Sequence, residues 1–508
     1  MGINFQALSE AASLILTLET IAFLGFGVVI GITFGAIPGL NATLAVALAM
    51  IVVYPLPLHQ ALAVLVGCYK GGIYGGSITA ISFKTPGSEP SAATVADGYA
   101  LTEQGHGGKA LKMALYSSVA ADTASDFIFI FAAIPLGMLA PRMGPPQLTA
   151  LFGLSLTLLI VFTADDPGRG IIGAGLGLFI ASIGRDPMSG VLRFTFGVPG
   201  LRSGVSLVPL LLGLFAIPEI IHQIGMVWNK KVAIYQGISK EQLKERLSFK
   251  EFLSAWRGLL VGTLTGTVLG ALPGPGATLA SFTSYGIAKQ VSRQPELYGK
   301  GSLEAVAAAE AGNNATSGPT FIPLITFGIP GSVIAGLFGG ALMMQGVPPG
   351  PRMFVEHPTV IYMFFLVQIL GNPFNLVLGS LLIRVYTKLA SVPRYILWPL
   401  IGVFVVVGVY MTELRGFDIL VLFGAGLLGY LLRTMRIPLG PFILTFLIAP
   451  LLEGSFRRSL ILSHGNPLYF VKDPIAAVLW GLTVLVLILQ INRVRAAKSK
   501  STSERGDV

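Results

Sequence analysis

Gly31-Ile-Thr-Phe-Gly35-Ala-Ile-Pro38-Gly39-Leu-Asn41-Ala-Thr43-Leu-Ala45 returns 235 residues later as Gly266-Thr-Val-Leu-Gly270-Ala-Leu-Pro273-Gly274-Pro-Gly276-Ala-Thr278-Leu-Ala280, identical at nine of fifteen positions. Pro lacks an amide donor and Gly accepts dihedrals barred to other residues, so each copy breaks the apolar segment that carries it. Such a break frees amides at the start of one half-helix and carbonyls at the end of the other. These ends suit a carboxylate and a cation respectively. Asn41 and Thr43 follow the first break, Gly276 and Thr278 the second. Asn and Thr oxygens with unwound carbonyls are hard ligands, and Na+ is the ion expected near Asn41, Thr43 and near Gly276, Thr278. Gly31–Gly35 and Gly266–Gly270 also read as small-xxx-small helix contacts, and the two roles are compatible.

Two further pairs keep the same order. Ile81-Ser-Phe-Lys84-Thr-Pro86-Gly87-Ser88 matches Ile325-Thr-Phe-Gly-Ile-Pro330-Gly331-Ser332, and Gly173-Ala-Gly-Leu-Gly177 matches Gly424-Ala-Gly-Leu-Leu-Gly429 more weakly. The offsets of 235, 244 and 251 residues drift slowly. The chain therefore divides into a first transmembrane repeat over 1–225, a linker over 226–257, a second repeat over 258–470, a final transmembrane helix over 471–492 and a basic tail over 493–508. Lys and Arg crowd the linker and the tail, whereas the first Lys or Arg of the chain is Lys70. By the positive-inside rule the linker and C-terminus are cytoplasmic and the N-terminus external. No charged n-region precedes Ala11–Leu24, so the N-terminus is expected to persist in the mature protein. With the last helix unpaired, each half crosses an odd number of times, which gives inverted topology, a common plan of secondary transporters.

Composition agrees. Of 508 residues 53% are hydrophobic and 11% charged, against about a quarter charged in soluble domains, so a water-soluble fold is excluded. The 63 glycines and 32 prolines exceed what plain spanning helices need and predict broken ones. The lone Cys68 rules out an internal disulfide, and the five histidines show no metal-ligand spacing. Neither a Walker A sequence nor Gly-x-Ser-x-Gly occurs. An enzyme, ATP-driven transport on this chain, and any cofactor beyond a coupling ion are all unexpected. The net charge of +10 follows topology rather than a nucleic-acid face, and the partner is the lipid bilayer.

Tyr74-Gly75-Gly76-Ser77-Ile-Thr79, leading to Thr85-Pro86-Gly87-Ser88, parallels Asn313-Asn314-Ala-Thr316-Ser317-Gly318, leading to Ile329-Pro330-Gly331-Ser332. Each reads as a re-entrant hairpin lining a cavity, because polar Gly-rich backbone is costly against lipid. Lys84 stands in the first stretch, either as a charge partner for an anionic substrate or as a snorkelling lysine. Lys70, Asp122, Asp126, Glu304 and Glu310 also lie in apolar surroundings. Asp122 and Asp126, spaced i,i+4, share a helix face as a like-charge pair or a cation site, or lie at the interface.

The paired Pro-Gly elements, the block from Tyr74 through Ala-Asp97-Gly98-Tyr99, Glu310-Ala-Gly-Asn-Asn-Ala-Thr-Ser-Gly-Pro319 and the run Leu207-Val-Pro209-Leu to Ile217-Pro218-Glu219 are specific. Over essentially its full length the chain resembles the large membrane subunit of tripartite tricarboxylate transporters. The resemblance implies a bacterial inner-membrane location, a small four-helix membrane subunit and a periplasmic substrate-binding protein as partners. It also implies ion-driven import of citrate or other small carboxylates. An all-α, elevator-type fold follows, with substrate and ion held at Gly39, Asn41, Thr43, Pro86, Gly87, Ser88, Gly274, Gly276, Thr278, Asn313, Asn314, Pro330, Gly331 and Ser332. Asn41 in one copy against Gly276 in the other means that two ion sites would not be chemically identical. A stand-alone permease or exporter of organic anions would share the same repeats and breaks.

Overall fold

The computed structural model describes residues 4–37, 39–163, 166–228, 238–274, 276–389 and 394–506. Pro38 and Pro275 lie outside the described residues, as does part of the linker. Among the described residues the chain is all-α apart from one two-stranded ribbon, and nine helices are long and apolar enough to cross a membrane.

The first segment runs through α1 (Phe5–Ile15), α2 (Leu18–Gly35), α3 (Ala42–Val53), α4 (Leu58–Phe83), α5 (Ala92–Glu103) and α6 (Gly107–Leu139). Next come α7 (Pro145–Thr163), α8 (Pro167–Ala181), strands β1 (Gly184–Arg185) and β2 (Leu192–Arg193), and α9 (Leu207–Trp228). The linker contributes two short helices, α10 (Lys240–Lys244) and α11 (Phe249–Ser254). Then follow α12 (Trp256–Ala271), α13 (Gly276–Val291), α14 (Leu303–Asn314), α15 (Ile322–Phe327), α16 (Val333–Met344), α17 (Met353–Glu356) and α18 (Pro358–Leu389). The chain closes with α19 (Arg394–Glu413), α20 (Gly416–Thr434), α21 (Leu439–Leu462), α22 (Tyr469–Lys472) and α23 (Pro474–Gly506). The last helix, α23, runs without a break from Pro474 to Gly506.

Two compact units interleave the halves. One combines Met1–Met138 with Ser206–Thr434, the other Leu139–Val205 with Met435–Val508. Within the second, the ribbon is tied to α21: Arg457 reaches Asp186 at 2.6 Å and Arg193 reaches Glu453 at 2.7 Å. The Ser189 amide and the Arg457 guanidinium hold the Asp186 carboxyl well below the usual carboxylate range.

In the first unit, bare backbone sets the packing. Gly27, Gly31 and Gly35 of α2 meet Gly67, Gly71 and Gly75 of α4, and a Cβ on Gly31 would stand 2.3 Å from the Cys68 carbonyl oxygen. In the second half Gly258, Gly262, Gly266 and Gly270 of α12 lie the same way against α14 and the turn after it, a Cβ on Gly266 falling 2.5 Å from the Gly312 carbonyl oxygen. With no hydrophobic drive between helices in lipid, such close approach is what holds them together. The small-xxx-small role of both glycine pairs is thus realised.

Tyr74–Thr79 lies inside the continuous helix α4, whereas its counterpart unwinds after Asn314 into the 315–318 turn. Gly75 and Gly76 serve close contact there rather than a bend: a Cβ on Gly75 would meet Gly35 Cα at 2.8 Å. The first hairpin bends after α4, at 84–91.

The described end of the linker docks on the first half. His106 meets Glu245 at 2.7 Å, Lys109 meets Glu251 at 2.6 Å, and the Gln242 amide donates to the Thr102 carbonyl at 3.2 Å.

Candidate substrate and ion site

Both helix breaks have matching anatomy. α2 ends at Gly35, and Gly39 takes φ 95° before Asn41 caps α3, its Oδ1 accepting from the Leu44 amide at 2.9 Å. α12 ends at Ala271, and Gly274 (φ 110°) and Gly276 (φ 63°) lead into α13. A side chain at Gly39 would strike the Gln223 amide at 2.2 Å, with Glu219 3.1 Å away, so this break is covered by α9. Thr43 and Thr278 are half-buried just inside the new helices, and the Thr278 hydroxyl lies 3.5 Å from the Glu89 carboxylate of the other half.

Each hairpin tip is seated on a break. Gly87 donates to the Gly76 carbonyl at 3.2 Å and lies so close to α2 that a Cβ would be 2.4 Å from the Gly35 carbonyl oxygen. Gly331 accepts directly from the Gly274 amide at 3.2 Å. Pro86 is exposed and Pro330 buried; Ser332 caps α16 by accepting from Ala335 at 3.2 Å, whereas the Ser88 amide donates to Ser91 Oγ at 3.1 Å. Both hairpin helices stop on a left-handed residue at the same point, Lys84 (φ 55°) and Gly328 (φ 77°). Lys84 is exposed, with its ammonium 5.3 Å from the Tyr99 ring centroid.

Asn313 and Asn314 sit deeper. Asn314 donates to Ser118 Oγ at 2.8 Å, while both amide atoms of buried Asn313 lack a hydrogen-bond partner among the described residues. One turn earlier, the fully buried Glu310 carboxylate accepts from Ser77 at 2.7 Å, from Thr94, and from Ser118 at 3.3 Å. One carboxylate of the second half thereby gathers hydroxyls from α4, α5 and α6 of the first. Asp97 makes the reciprocal link: fully buried on α5, it accepts from the amides of Gly299, Gly301 and Ser302 at 2.8–3.0 Å and from the Tyr285 hydroxyl at 2.8 Å. Glu310 and Asp97 stand out in the sequence, whereas their hydroxyl and amide partners lie 188–233 residues away and no local pattern marks them. Glu304, at the outer end of α14, instead bonds Ser292 at 2.5 Å.

Long apolar helices, two half-helix starts and a buried polar seam joining two related halves define a multi-pass membrane protein of transporter type. The family model for the tripartite tricarboxylate transporter TctA family matches residues 21–444, and the chain belongs to that family. The family is one of transporters rather than enzymes, and its tripartite systems imply partner subunits. Among relatives, an uncharacterized 52.8 kDa protein from the TAR-I ttuC' 3' region of Agrobacterium vitis is 34% identical over 487 residues, 96% of each chain. Another, an uncharacterized protein from the TAR-II ttuC' 3' region of the same organism, is 38% identical over 226 residues, covering 44% of this chain and 93% of the relative. No solved structure matches.

Proposed function

We propose that the chain is the translocating subunit of a binding-protein-dependent, Na+-coupled secondary transporter of the bacterial inner membrane, importing citrate-like tricarboxylates or other small carboxylates. The observation that carries this reading is the doubled break: two half-helix starts, each with a hairpin tip on it, Gly87 against Gly35 and Gly331 against Gly274. Free amides at the starts of α3 and α13 suit a carboxylate, and Asn41, Thr43 and Thr278 with nearby carbonyls suit Na+. Lys84 supports an anionic substrate as well. It keeps a left-handed conformation that costs a non-glycine residue roughly 1–2 kcal/mol, where the other copy has Gly328.

The halves 1–225 and 258–470 act as inverted repeats, with the N-terminus periplasmic and the C-terminus cytoplasmic. A periplasmic binding protein delivers substrate, and a small four-helix subunit completes the membrane complex. Both breaks and both hairpins lie in one compact unit, which supports an elevator-type cycle in which the two candidate sites travel together.

Uptake of labelled citrate and a panel of carboxylates into proteoliposomes holding this chain and its small partner tests the reading. Uptake is expected only when binding protein and an inward Na+ gradient are both supplied. Uptake requiring neither would identify a stand-alone permease, and no movement of any carboxylate would refute the substrate class.

A further inference from the structure

Lys70, Asp122, Asp126 and Asn372 meet near the middle of three long apolar helices, α4, α6 and α18. Lys70 Nζ donates to Asp122 Oδ1 at 2.8 Å, to Asp126 Oδ2 at 2.8 Å and to Asn372 Oδ1 at 3.0 Å. A nitrogen giving three hydrogen bonds is an ammonium. The same two carboxylate oxygens each take a second bond, Asp122 Oδ1 from the Ser317 hydroxyl and Asp126 Oδ2 from the Asn372 amide at 2.7 Å. The outer oxygens, Asp122 Oδ2 and Asp126 Oδ1, are buried and have no hydrogen-bond partner among the described residues.

One positive charge therefore faces two carboxylates, at side chains no more than 1% exposed. An unbalanced charge in such surroundings is relieved by proton uptake. A metal ion would need a shell of several oxygens, and the surroundings are crowded. A Cβ on Gly318 would lie 2.5 Å from Asp126 Oδ1, and one on Gly371 2.7 Å from Lys70 Cδ. A proton needs no such shell.

We propose that Asp122 and Asp126 share one exchangeable proton, making this cluster a proton-binding site in contact, through Ser317, with the turn that follows Asn313 and Asn314. On uptake, a proton from water joins one of the outer carboxylate oxygens and the cluster goes from a net charge of −1 to zero. The titratable groups facing it are Lys70 and Tyr69 from α4 and the two aspartates of α6. α18 brings the neutral Asn372 and Asn375, α12 packs on Ala121 through Leu259, and Glu310 of α14 bonds Ser118, one turn before Asp122. Because the aspartates belong to the first half and Ser317 to the second, protonation alters a contact between halves. The site goes beyond the transport reading and does not depend on which ion or substrate moves.

Infrared spectra of the purified full-length chain in lipid nanodiscs, taken over a pH series, test it without substrate, sodium or partner subunits. Failure of carboxylate uptake is thus separable from failure of this proposal. A protonated-carboxyl band is expected in wild type and in Glu310→Gln, titrating away at alkaline pH. It should vanish when either Asp122→Asn or Asp126→Asn is added to Glu310→Gln, which silences the other buried carboxyl, since either change leaves one carboxylate against one ammonium, a balanced pair that should fold. A band that persists in either folded double variant overturns the proposal. Should neither double variant fold, Glu310→Gln decides: a titrating band supports the site and its absence overturns it.

Discussion

Replacing Asp97 by Ala removes a buried acceptor that joins α5 to the Gly299–Ser302 segment and to Tyr285. Four donors lose their partner: three backbone amides within 3.0 Å and one hydroxyl at 2.8 Å. A hydrogen bond to a charged group contributes about 1.5–3 kcal/mol, but not every loss adds, because Gly299 and Gly301 are reachable by water once the carboxylate is gone. Each buried donor left without an acceptor costs about 1–3 kcal/mol, and the Ser302 amide with the other stranded donors puts the expected loss for Asp97→Ala at about 3–6 kcal/mol. Tyr285→Phe deletes a single bond to the carboxylate and should cost about 1.5–3 kcal/mol. Asp97→Asn retains one acceptor oxygen and should fall between the two. Thermal unfolding of the purified protein in detergent ranks the three variants, and a double-mutant cycle with Tyr285 isolates the shared bond. The reasoning is refuted if Asp97→Ala unfolds no earlier than Tyr285→Phe.

Other outcomes follow from the same geometry. Gly31→Ala must force α2 and α4 apart by about 1 Å, because the obstructing Cys68 and Gly72 atoms are backbone and cannot swing aside. The expected loss is about 1–3 kcal/mol. Gly175→Ala in α8, which meets nothing, should stabilise by about 0.5–1 kcal/mol in the same unfolding assay. Asn41→Ala removes the cap of α3 at a cost of about 1 kcal/mol; in uptake assays it should also raise the sodium concentration needed for half-maximal rate, whereas a purely structural cap would leave that concentration unchanged. Glu251 is held down to about 2, chiefly by its hydrogen bond from Lys109. Its contribution to linker docking is therefore complete above its ordinary value of 4.5 and lost as pH falls through about 2. Hydrogen exchange at 249–254 should be flat across neutral pH and rise only in that acid range; a rise near pH 6–7 would contradict the assignment.

What could be read from the chain depended on how local the cause was. The breaks at Gly39 and Gly274 were legible because Pro and Gly impose their conformation wherever they stand, and the glycine spacing of α2 and α12 announced a close helix partner. The role of the Gly-rich Tyr74–Thr79 stretch was not legible, because the same residue type serves two purposes, bending a chain or letting another helix approach. Only the position of Gly35 opposite Gly75 decides between them. Lys70, Asp122 and Asp126 were recognisable as unusual charges in apolar sequence. Their meeting was not, since 52 and 56 residues separate Lys70 from its aspartates and 302 from Asn372. Ser77, Thr94 and Ser118 carry no signature until a buried Glu310 faces them.

The glycine seams have a practical corollary for anyone following the protein in motion. Backbone resting on backbone has no rotamer to change, so the α2–α4 and α12–α14 separations are fixed lengths inside a molecule expected to move. Spin labels or fluorophores placed along those two pairs should report one unvarying distance whatever ion or substrate is added. They provide a ruler within each half against which every other displacement can be measured.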